Sequence, residues 1–302
     1  MSLTRRSLLL TGAASAGAFL VGCAAPPIAT PPDPVVPLAP DPVPAVDALE
    51  RRYTRRIGVH AVETRTGAAV AHRGTERFLM CSTVKALMAA FVLHMSTTDP
   101  GLLDRRVRVT RADVLAYAPI TGTHVGSGMT VAELCRAAVT VSDNTAYNLL
   151  LRQTGGPGAL TAFVRGLGDD VTRADRTETT LNTPDGELDT TTPAAMATTL
   201  RTLATTPALT PAARDRWLAW MRANTTGDAQ IRAGVPAGWS VADKTGSGDG
   251  GTKNDVGILV PPSAAPIVLT VFTVPEHPDD GLGEQAVAAT TRAAVDALTA
   301  AR

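Results

Sequence analysis

The chain has 302 residues, of which 44% are hydrophobic and 19% are charged, and its formal net charge at pH 7 is zero. This length and composition allow one large globular domain, or two small ones, with a substantial apolar core. The charge balance excludes the basic surplus that is typical of nucleic-acid-binding proteins. Nucleic acid is therefore not a predicted partner.

The first 23 residues are typical of an export signal. Arg5 and Arg6 precede an apolar run over 8–21, and this pair resembles a twin-arginine motif. The run is shorter than the ~20 residues needed to cross a bilayer, so a permanent transmembrane helix is not expected. The segment ends in Leu-Val-Gly-Cys at 20–23, which resembles a bacterial lipoprotein cleavage and lipidation site at Cys23. An ordinary signal peptide that is cut nearby is the alternative.

Residues 24–45 are dense in proline and almost free of charge, a composition typical of a semi-extended tether. The sequence therefore predicts an export signal over 1–23, a linker over 24–45 and a folded domain over 46–302. We expect this domain in the cell envelope, where the lipid on Cys23 would hold it on the outer side of the cytoplasmic membrane. That lipid would be its only contact with membrane, and a secreted or periplasmic location is the alternative.

The folded domain changes in character along its length. A hairpin is predicted over 56–63 and 68–72, where apolar residues alternate with polar ones. Helices are then predicted over 82–94, 131–139, 144–153, 159–166, 193–205 and 211–221. The chain returns to strands over 239–244, 256–260 and 267–274, followed by a helix over 284–300. This order predicts an α/β fold, with an α+β sheet lobe formed by both termini, an inserted all-helical lobe and a site in the cleft between them.

Ser82 and Lys85 lie three residues apart at the start of a predicted helix. Residues at this spacing are neighbours on a helix, so the Lys85 amine can reach the Ser82 hydroxyl. A serine needs an adjacent base to become a nucleophile, and lysine can lose its proton where arginine does not. The chain contains only three lysines, Lys85, Lys244 and Lys253. The alternative is a helix-capping serine followed by a surface lysine.

Three other polar segments are candidates for the same site. Ser-Asp-Asn at 142–144 opens a predicted helix, although these residues are also good helix caps. Glu178 lies in a long stretch without periodicity over 168–192, where it is a candidate general base or a solvated loop carboxylate. Lys-Thr-Gly-Ser-Gly at 244–248 is predicted to end a strand, and it suits either a bound carboxylate or phosphate or a simple turn.

Read in order, Ser-x-x-Lys at 82–85, Ser-Asp-Asn at 142–144, Arg-x-Glu-x-x-Leu-Asn at 176–182 and Lys-Thr-Gly at 244–246 resemble the signature set of the class A serine β-lactamases. The resemblance covers residues 46–302. It implies that this region is a catalytic domain that hydrolyses the β-lactam ring of penicillins through a serine acyl-enzyme and confers β-lactam resistance.

The resemblance implies a catalytic role for four side chains. Ser82 would attack the β-lactam carbonyl, with the backbone N–H groups of Ser82 and Ser247 as the oxyanion hole. Lys85 and Glu178 would share the proton transfers of acylation, and which of them is the base there is open. Glu178 would then activate the deacylating water, and Ser142 would pass a proton to the leaving nitrogen.

The resemblance also implies a set of binding residues. Asn144 would bind the acylamino side chain of the substrate, and Asn182 would hold the deacylating water within the pocket. Tyr117 matches the aromatic residue at the mouth of the cleft. The residues implied for the substrate carboxylate and its surroundings are Lys244, Thr245, Gly246, Ser247 and Lys253.

Two features of the loop around Glu178 depart from the usual family pattern. Thr179 stands where many members have a proline after a cis peptide bond, so Glu178 is expected to be held less rigidly or by loop contacts instead. The segment 182–189 looks two residues shorter than the commoner form. Arg176 is still expected to pair with Asp189 and close the loop.

Two further positions bear on the substrate range. Gln230 stands where some relatives have a carboxylate-binding arginine, and Lys253 is the preferred substitute over Arg232. Ser-Gly-Asp at 247–249 resembles the corresponding segment of the cefotaxime-hydrolysing members, which implies cephalosporins as further substrates.

The sequence predicts no metal and no cofactor, because no Cys-x-x-Cys or His-x-x-x-His spacing occurs. Cys81 and Cys135 lie in apolar helical surroundings, so buried free thiols are expected, and pairing in an oxidising compartment is the alternative. A monomer is expected because no exposed apolar heptad is present.

Two rival functions share part of this signature. A penicillin-binding D-Ala-D-Ala carboxypeptidase or transpeptidase has the Ser-x-x-Lys and Lys-Thr-Gly elements but lacks the pair formed by Glu178 and Asn182. A non-hydrolytic envelope module that only senses β-lactams likewise needs no deacylating carboxylate. The presence of Glu178 therefore favours the hydrolase.

Overall fold

The computed structural model describes residues 41–278 and 281–300. The predicted export signal, the lipidation site at Cys23 and the linker up to residue 40 lie outside the described residues. Within these two described ranges, no helix is both long and apolar enough to cross a membrane.

A six-stranded sheet is built from both ends of the described chain. Its strands are β1 (Asp41–Pro42), β2 (Arg55–Glu63), β3 (Ala69–His72), β8 (Ser240–Gly248), β9 (Thr252–Val260) and β10 (Ile267–Pro275). Two-residue pairs β4 (Phe78–Leu79) with β7 (Thr190–Thr191), and β5 (Arg106–Val107) with β6 (Met129–Thr130), lie outside this sheet. The order across the main sheet is β1-β3-β2-β10-β9-β8, with only the β1–β3 pair parallel. This order makes β8 an edge strand.

The helices are α1 (Ala45–Tyr53), α2 (Val84–Met95), α3 (Val131–Thr140), α4 (Asn144–Thr154), α5 (Pro157–Gly166), α6 (Pro193–Thr205), α7 (Pro211–Arg222), α8 (Ile231–Gly234) and α9 (Gly283–Ala300). Those from α2 to α7 lie in the inserted stretch between the two groups of strands. The predicted sheet lobe formed by both termini, with an inserted helical lobe, is confirmed.

Strand β10 is buried along nearly its whole length because both faces of the sheet are covered. Successive strand residues point to opposite faces. Val268 and Phe272 accordingly pack into the core shared with the helical lobe. Leu269 and Val271 pack into a second core, formed with α1 and α9.

Helix α2 lies at the centre of the helical lobe. Every residue from Val84 to Leu93 is buried, as expected for a helix that is apolar on all sides apart from Lys85. Trp217 on α7 is fully buried and donates its indole N–H to the carbonyl of Ala86 at 3.0 Å. This packing fixes the helix whose first turn follows Ser82.

The observed elements differ from the predicted ones in several places. The short strands β4 to β7 and helix α8 were not predicted, and two further differences have a clear cause. The prediction ended strand β8 at residue 244, whereas the observed strand continues through Gly248. It continues because β9 pairs with it up to the pair formed by Gly248 and Thr252. The glycines indicated a turn, and pairing with β9 overrides that local preference. Helix α1 and strand β1 were not predicted, because the high proline content up to residue 45 indicated a linker. The short helix α1 nevertheless forms and buries Val46 and Tyr53.

Candidate active site

Ser82 lies in a single 3₁₀ turn, Cys81–Thr83, that leads directly into α2. Strand β8 passes close beside this turn. A Cβ atom at Gly246 would lie 2.8 Å from the carbonyl oxygen of Met80 and 3.0 Å from Cγ2 of Thr83. Only glycine therefore allows the edge strand to approach the serine turn this closely.

Lys85 is fully buried beneath Ser82 and contacts polar groups from three other segments. Its Nζ lies 2.9 Å from Ser82 Oγ, 2.8 Å from Glu178 Oε1 and 2.6 Å from Asn144 Oδ1. Burial lowers the pKa of the Lys85 amine, and the carboxylate of Glu178 opposes this shift. A lysine with a lowered pKa that touches a serine hydroxyl can exchange a proton with it.

Glu178 reaches Ser82 from the loop between α5 and α6. Its Oε1 accepts a hydrogen bond from Ser82 Oγ at 3.1 Å, and its Oε2 accepts one from Asn182 Nδ2 at 2.5 Å. The peptide bond between Glu178 and Thr179 is cis. The Ser82 hydroxyl therefore lies between an amine and a carboxylate that are both fully buried.

The loop that carries Glu178 is anchored next to the serine turn. Arg176 Nε lies 2.5 Å from Asp189 Oδ2, as the resemblance implies. The backbone carbonyl of Asp189 in turn accepts a hydrogen bond from Met80 N at 2.9 Å. The loop end is thereby tied to the residue two positions before Ser82.

The segment at 142–144 both caps helix α4 and contributes a side chain to the candidate active site. Asp143 caps α4 by accepting from Ala146 N at 2.9 Å, so the capping alternative is correct for this residue. The Ser142 hydroxyl oxygen instead lies 3.1 Å from Lys244 Nζ and 3.4 Å from Lys85 Nζ. Ser142 thus bridges the two buried lysines.

Lys244 is fully buried on β8. Burial, reinforced by repulsion from the nearby Lys85, lowers the pKa of Lys244 to about 7. Its Nζ also donates to the carbonyl of Thr245 at 2.7 Å. The Thr245 hydroxyl in turn lies 2.5 Å from that of Thr226.

Several of these groups line a cavity of about 340 Å³ between the sheet and the helical lobe, whereas Lys85, Glu178 and Lys244 are buried and do not line it. It is lined by Ser82, Tyr117, Ser142, Asn144, Asn182, Thr226, Gln230, Thr245, Ser247, Lys253 and Glu284. Tyr117 is half exposed at its mouth. Lys253 lies 3.2 Å from the Ser247 hydroxyl, whereas Arg232 is bound to Asp243 and does not line the cavity.

A model of the β-lactamase enzyme family matches residues 42–298. The structure of a class A β-lactamase from Mycobacterium abscessus superimposes with a TM-score of 0.83 and 50% sequence identity, over 84% of this chain and 98% of that one. The chain belongs to the class A serine β-lactamases. It is 48% identical over 253 residues to β-lactamase FAR-1 of Nocardia farcinica (83% of this chain, 81% of the relative) and 49% identical over 235 residues to β-lactamase Toho-1 of Escherichia coli (77% and 81%).

Family membership confirms the activity implied by the four sequence segments. The enzyme is a serine hydrolase that opens β-lactam rings and confers β-lactam resistance. The family signature covers the residues that contact Ser82, but not all the residues that hold them in place.

Sequence reasoning missed several residues of this β-lactamase site. Asn148 lies one helical turn after Asn144 on α4, and that spacing was a usable signal. Thr226 and Glu284 line the cavity from a loop and from the start of α9, and nothing in their local sequence indicated this. Asn224 is buried and donates to the buried carboxylate of Asp243 at 2.6 Å, beneath β8.

Cys81 and Cys135 are buried free thiols, as predicted. One group of potential metal ligands, Asp47, Glu50 and His72, lies between α1 and β3. Glu50 in this group is already bound by Arg73, with Nε to Oε1 at 2.7 Å. We assign no metal to it.

Proposed function

We propose that this enzyme hydrolyses penicillins and cephalosporins through an acyl-enzyme on Ser82. The observation that carries the proposal is the position of the Ser82 hydroxyl, which lies 2.9 Å from the Lys85 amine and 3.1 Å from the Glu178 carboxylate. A nucleophile with a base on either side can be deprotonated for acylation and reprotonated when the acyl group leaves.

In acylation, Ser82 Oγ forms a bond to the β-lactam carbonyl carbon and its proton passes to Lys85 or to Glu178. The lowered pKa of Lys85 supports the lysine as the acceptor, and the direct contact with Ser82 supports the glutamate equally. The backbone N–H groups of Ser82 and Ser247 stabilise the oxyanion. The carbon–nitrogen bond of the ring then breaks.

The ring nitrogen needs a proton as it leaves. Ser142 is the proposed donor, because its hydroxyl lies between Lys244 and Lys85 and can be reprotonated from either amine. This route returns the proton taken from Ser82 to the leaving nitrogen without passing through solvent.

In deacylation, Glu178 takes a proton from a water molecule that attacks the ester carbonyl, with Asn182 orienting that water. The bond between the carbonyl carbon and Ser82 Oγ breaks, and the proton that Glu178 took from the water passes to Ser82 Oγ, which lies 3.1 Å from Glu178 Oε1. Asn148 supports this step because it holds the backbone of Glu178 through two hydrogen bonds. A peptidase or a sensor would not need such a held carboxylate.

Substrate binding is proposed to divide the cavity into two parts. Asn144 binds the acylamino side chain, next to Tyr117 at the mouth. The residues proposed to hold the substrate carboxylate are Lys244, Thr245, Gly246, Ser247 and Lys253. Cephalosporins are included because Ser-Gly-Asp at 247–249 resembles the cefotaxime-hydrolysing members.

The test is turnover of a chromogenic cephalosporin and of benzylpenicillin by the purified chain from residue 24 on. We expect multiple turnovers of both, and Glu178→Ala should stop after one equivalent of acylation. Glu187→Ala, in the same loop but largely exposed, is the matched control and should keep full turnover. Stoichiometric acylation without turnover in the unmodified enzyme would instead support the sensor or the peptidase.

We also propose that the enzyme is exported by the twin-arginine route, lipidated at Cys23 and active as a monomer. The support for export and lipidation is the arginine pair, the apolar run and the Leu-Val-Gly-Cys segment of the sequence. The monomer is proposed because the sequence has no exposed apolar heptad. Membrane fractionation of the Cys23→Ala variant tests the anchor: the variant should become soluble, and retention in the membrane would count against lipidation. Analytical ultracentrifugation of the soluble variant tests the monomer.

A further inference from the structure

A second cavity lies behind the wall of the active site. Its volume is about 330 Å³, and its apolar lining residues include Ile120, Met129, Ala137 and Val141. Tyr117 and Ile120 are the large hydrophobic side chains exposed within the described ranges, and Ile120 faces this second cavity. No step of the proposed reaction uses this space.

The two cavities share a wall made of three segments. Each segment presents one residue to the second cavity and a nearby one to the substrate cavity: Val141 and Ser142, Thr225 and Thr226, Ile120 and Tyr117. The segments are tied together, because Thr225 N donates to the carbonyl of Thr140 at 2.9 Å and Ile120 N donates to Asp143 Oδ2 at 3.0 Å. A ligand in the second cavity would therefore press on the wall that carries Ser142.

The rim of the second cavity carries one arginine and one glutamate, and of these two side chains only the glutamate has a described partner. Arg136 is exposed there, and its guanidinium makes no ion pair or hydrogen bond with any described residue. Glu133 is already engaged, since its Oε2 accepts from Thr130 N at 2.7 Å to cap α3, and that backbone hydrogen bond lowers its pKa. His124 Nδ1 is occupied by the carbonyl of Ile120 at 3.0 Å.

We propose that this cavity is a binding site for a small monocarboxylate with a compact apolar body, such as an aromatic ring on a short alkyl chain. Arg136 pairs with the carboxylate at the rim, since a guanidinium suits a carboxylate geometrically. The apolar floor covers the ring, and the volume lies within the range of small-molecule sites.

Occupancy should also alter turnover, because the shared wall holds Ser142. This consequence depends on the proposed role of Ser142 in catalysis, whereas binding itself does not. Failure of the proposed reaction would therefore leave the binding measurement intact.

The experiment is a titration of the soluble enzyme with 4-phenylbutyrate, followed by NMR and calorimetry. We expect saturable binding with a Kd of about 1 mM, a value typical of a small ligand with one charge contact. Arg136→Gln should weaken binding about three-fold to five-fold, in line with an exposed ion pair. Ala223→Trp, which fills the cavity from an exposed position, should abolish it.

Two controls identify where the probe binds. Uncharged 4-phenylbutan-1-ol should bind the wild type and Arg136→Gln equally, because it has no carboxylate for the arginine. Lys253→Gln should leave 4-phenylbutyrate binding unchanged. If Ala223→Trp still binds the probe and Lys253→Gln does not, the probe binds in the substrate cavity and the proposal is wrong. The absence of saturable binding to the wild type would also overturn the proposal. Thermal unfolding should show that each variant is folded.

Discussion

Asn148 holds the backbone of Glu178 from both sides, because its Oδ1 accepts from Glu178 N at 2.9 Å and its Nδ2 donates to Glu178 O at 2.8 Å. The glutamate is thus held by a side chain of α4, in addition to Asn182 within its own loop. The absence of proline at Thr179 led us to expect either a less rigid glutamate or one held by loop contacts. The backbone of Glu178 is held from α4, outside the loop, and Asn182 adds one contact from within the loop.

We predict that Asn148→Ala impairs deacylation more than acylation. Loss of two hydrogen bonds should lower the free energy of unfolding by about 1 to 3 kcal/mol, and it should let Glu178 move away from the attacking water. Denaturant titration measures the first effect, and pre-steady-state kinetics separates the two chemical steps. Thr180→Ala removes a local, exposed hydrogen bond of the same loop. This control variant should change neither the free energy of unfolding nor the rate of deacylation. Equal slowing of both steps would argue against a specific role in holding Glu178.

We predict that Glu178→Gln accumulates the acyl-enzyme. The amide keeps the shape of the side chain but cannot take a proton from water, and loss of a general base typically slows a step by about 10² to 10⁴-fold. Mass spectrometry after mixing with a penicillin should show the enzyme plus one intact acyl group for minutes. Acylation that also stops in this variant would identify Glu178, rather than Lys85, as the indispensable base of the first step.

Part of the site could be predicted because its residues are close in sequence. Ser82 and Lys85 are one helical turn apart, and helix geometry alone brings their side chains together. Glu178 comes to the same hydroxyl from 96 positions along the chain. No local pattern encodes that contact, so only the resemblance to a known family indicated it.

The fold class could be predicted from the order of periodic segments. The residues that border the substrate cavity on the sheet side could not be predicted in the same way. The glycines of β8 indicate a turn locally, but they form a strand because β9 pairs with them as far as Gly248, and Gly246 lets this strand pass close to the serine turn. Glu284 lies in the first turn of the last helix, and its contact with Lys253 depends on how α9 packs across the sheet. Such contacts arise from tertiary packing rather than from propensity.

We predict that Lys253 and Glu284 change substrate affinity in opposite directions. Lys253 Nζ lies 3.6 Å from Glu284 Oε1 and also faces the cavity. Lys253→Ala should raise KM several-fold with little effect on kcat, because an ion pair with the substrate carboxylate is lost in the ground state and the transition state alike. Glu284→Gln should lower KM, since the lysine is then free for the substrate. An unchanged KM in both variants would remove Lys253 from the binding set.

We predict that neither thiol of the folded domain reacts readily. Cys81 and Cys135 are fully buried, and burial raises the pKa of both thiols, so almost no thiolate is present at neutral pH. An aromatic disulfide reagent should label them only after denaturation, whereas it should label an exposed cysteine introduced by Ala162→Cys at once. Rapid labelling of the native enzyme without the introduced cysteine would contradict the burial of these residues.

We predict that Lys244 gives kcat/KM an alkaline limb near neutrality. Burial, with repulsion from Lys85, lowers the pKa of Lys244 to about 7, so the free enzyme loses this cation as the pH rises through that value. A substrate carboxylate binds better to the charged form, and kcat/KM should therefore fall above about pH 7 while kcat, which reports the bound enzyme, holds to higher pH.

The same shift makes a stability prediction with a defined sign. Between about pH 7 and the ordinary lysine pKa of 10.5, the unfolded chain keeps a proton on Lys244 that the folded enzyme has released. The contribution of Lys244 to the free energy of unfolding should therefore increase as the pH rises through this range. The arginine of the Lys244→Arg variant stays charged over this whole pH range. The variant should therefore lose both the alkaline limb of kcat/KM and the increase in the free energy of unfolding. The pKa of Lys85 is shifted in the same direction, so an alkaline limb that survives in Lys244→Arg would belong to Lys85.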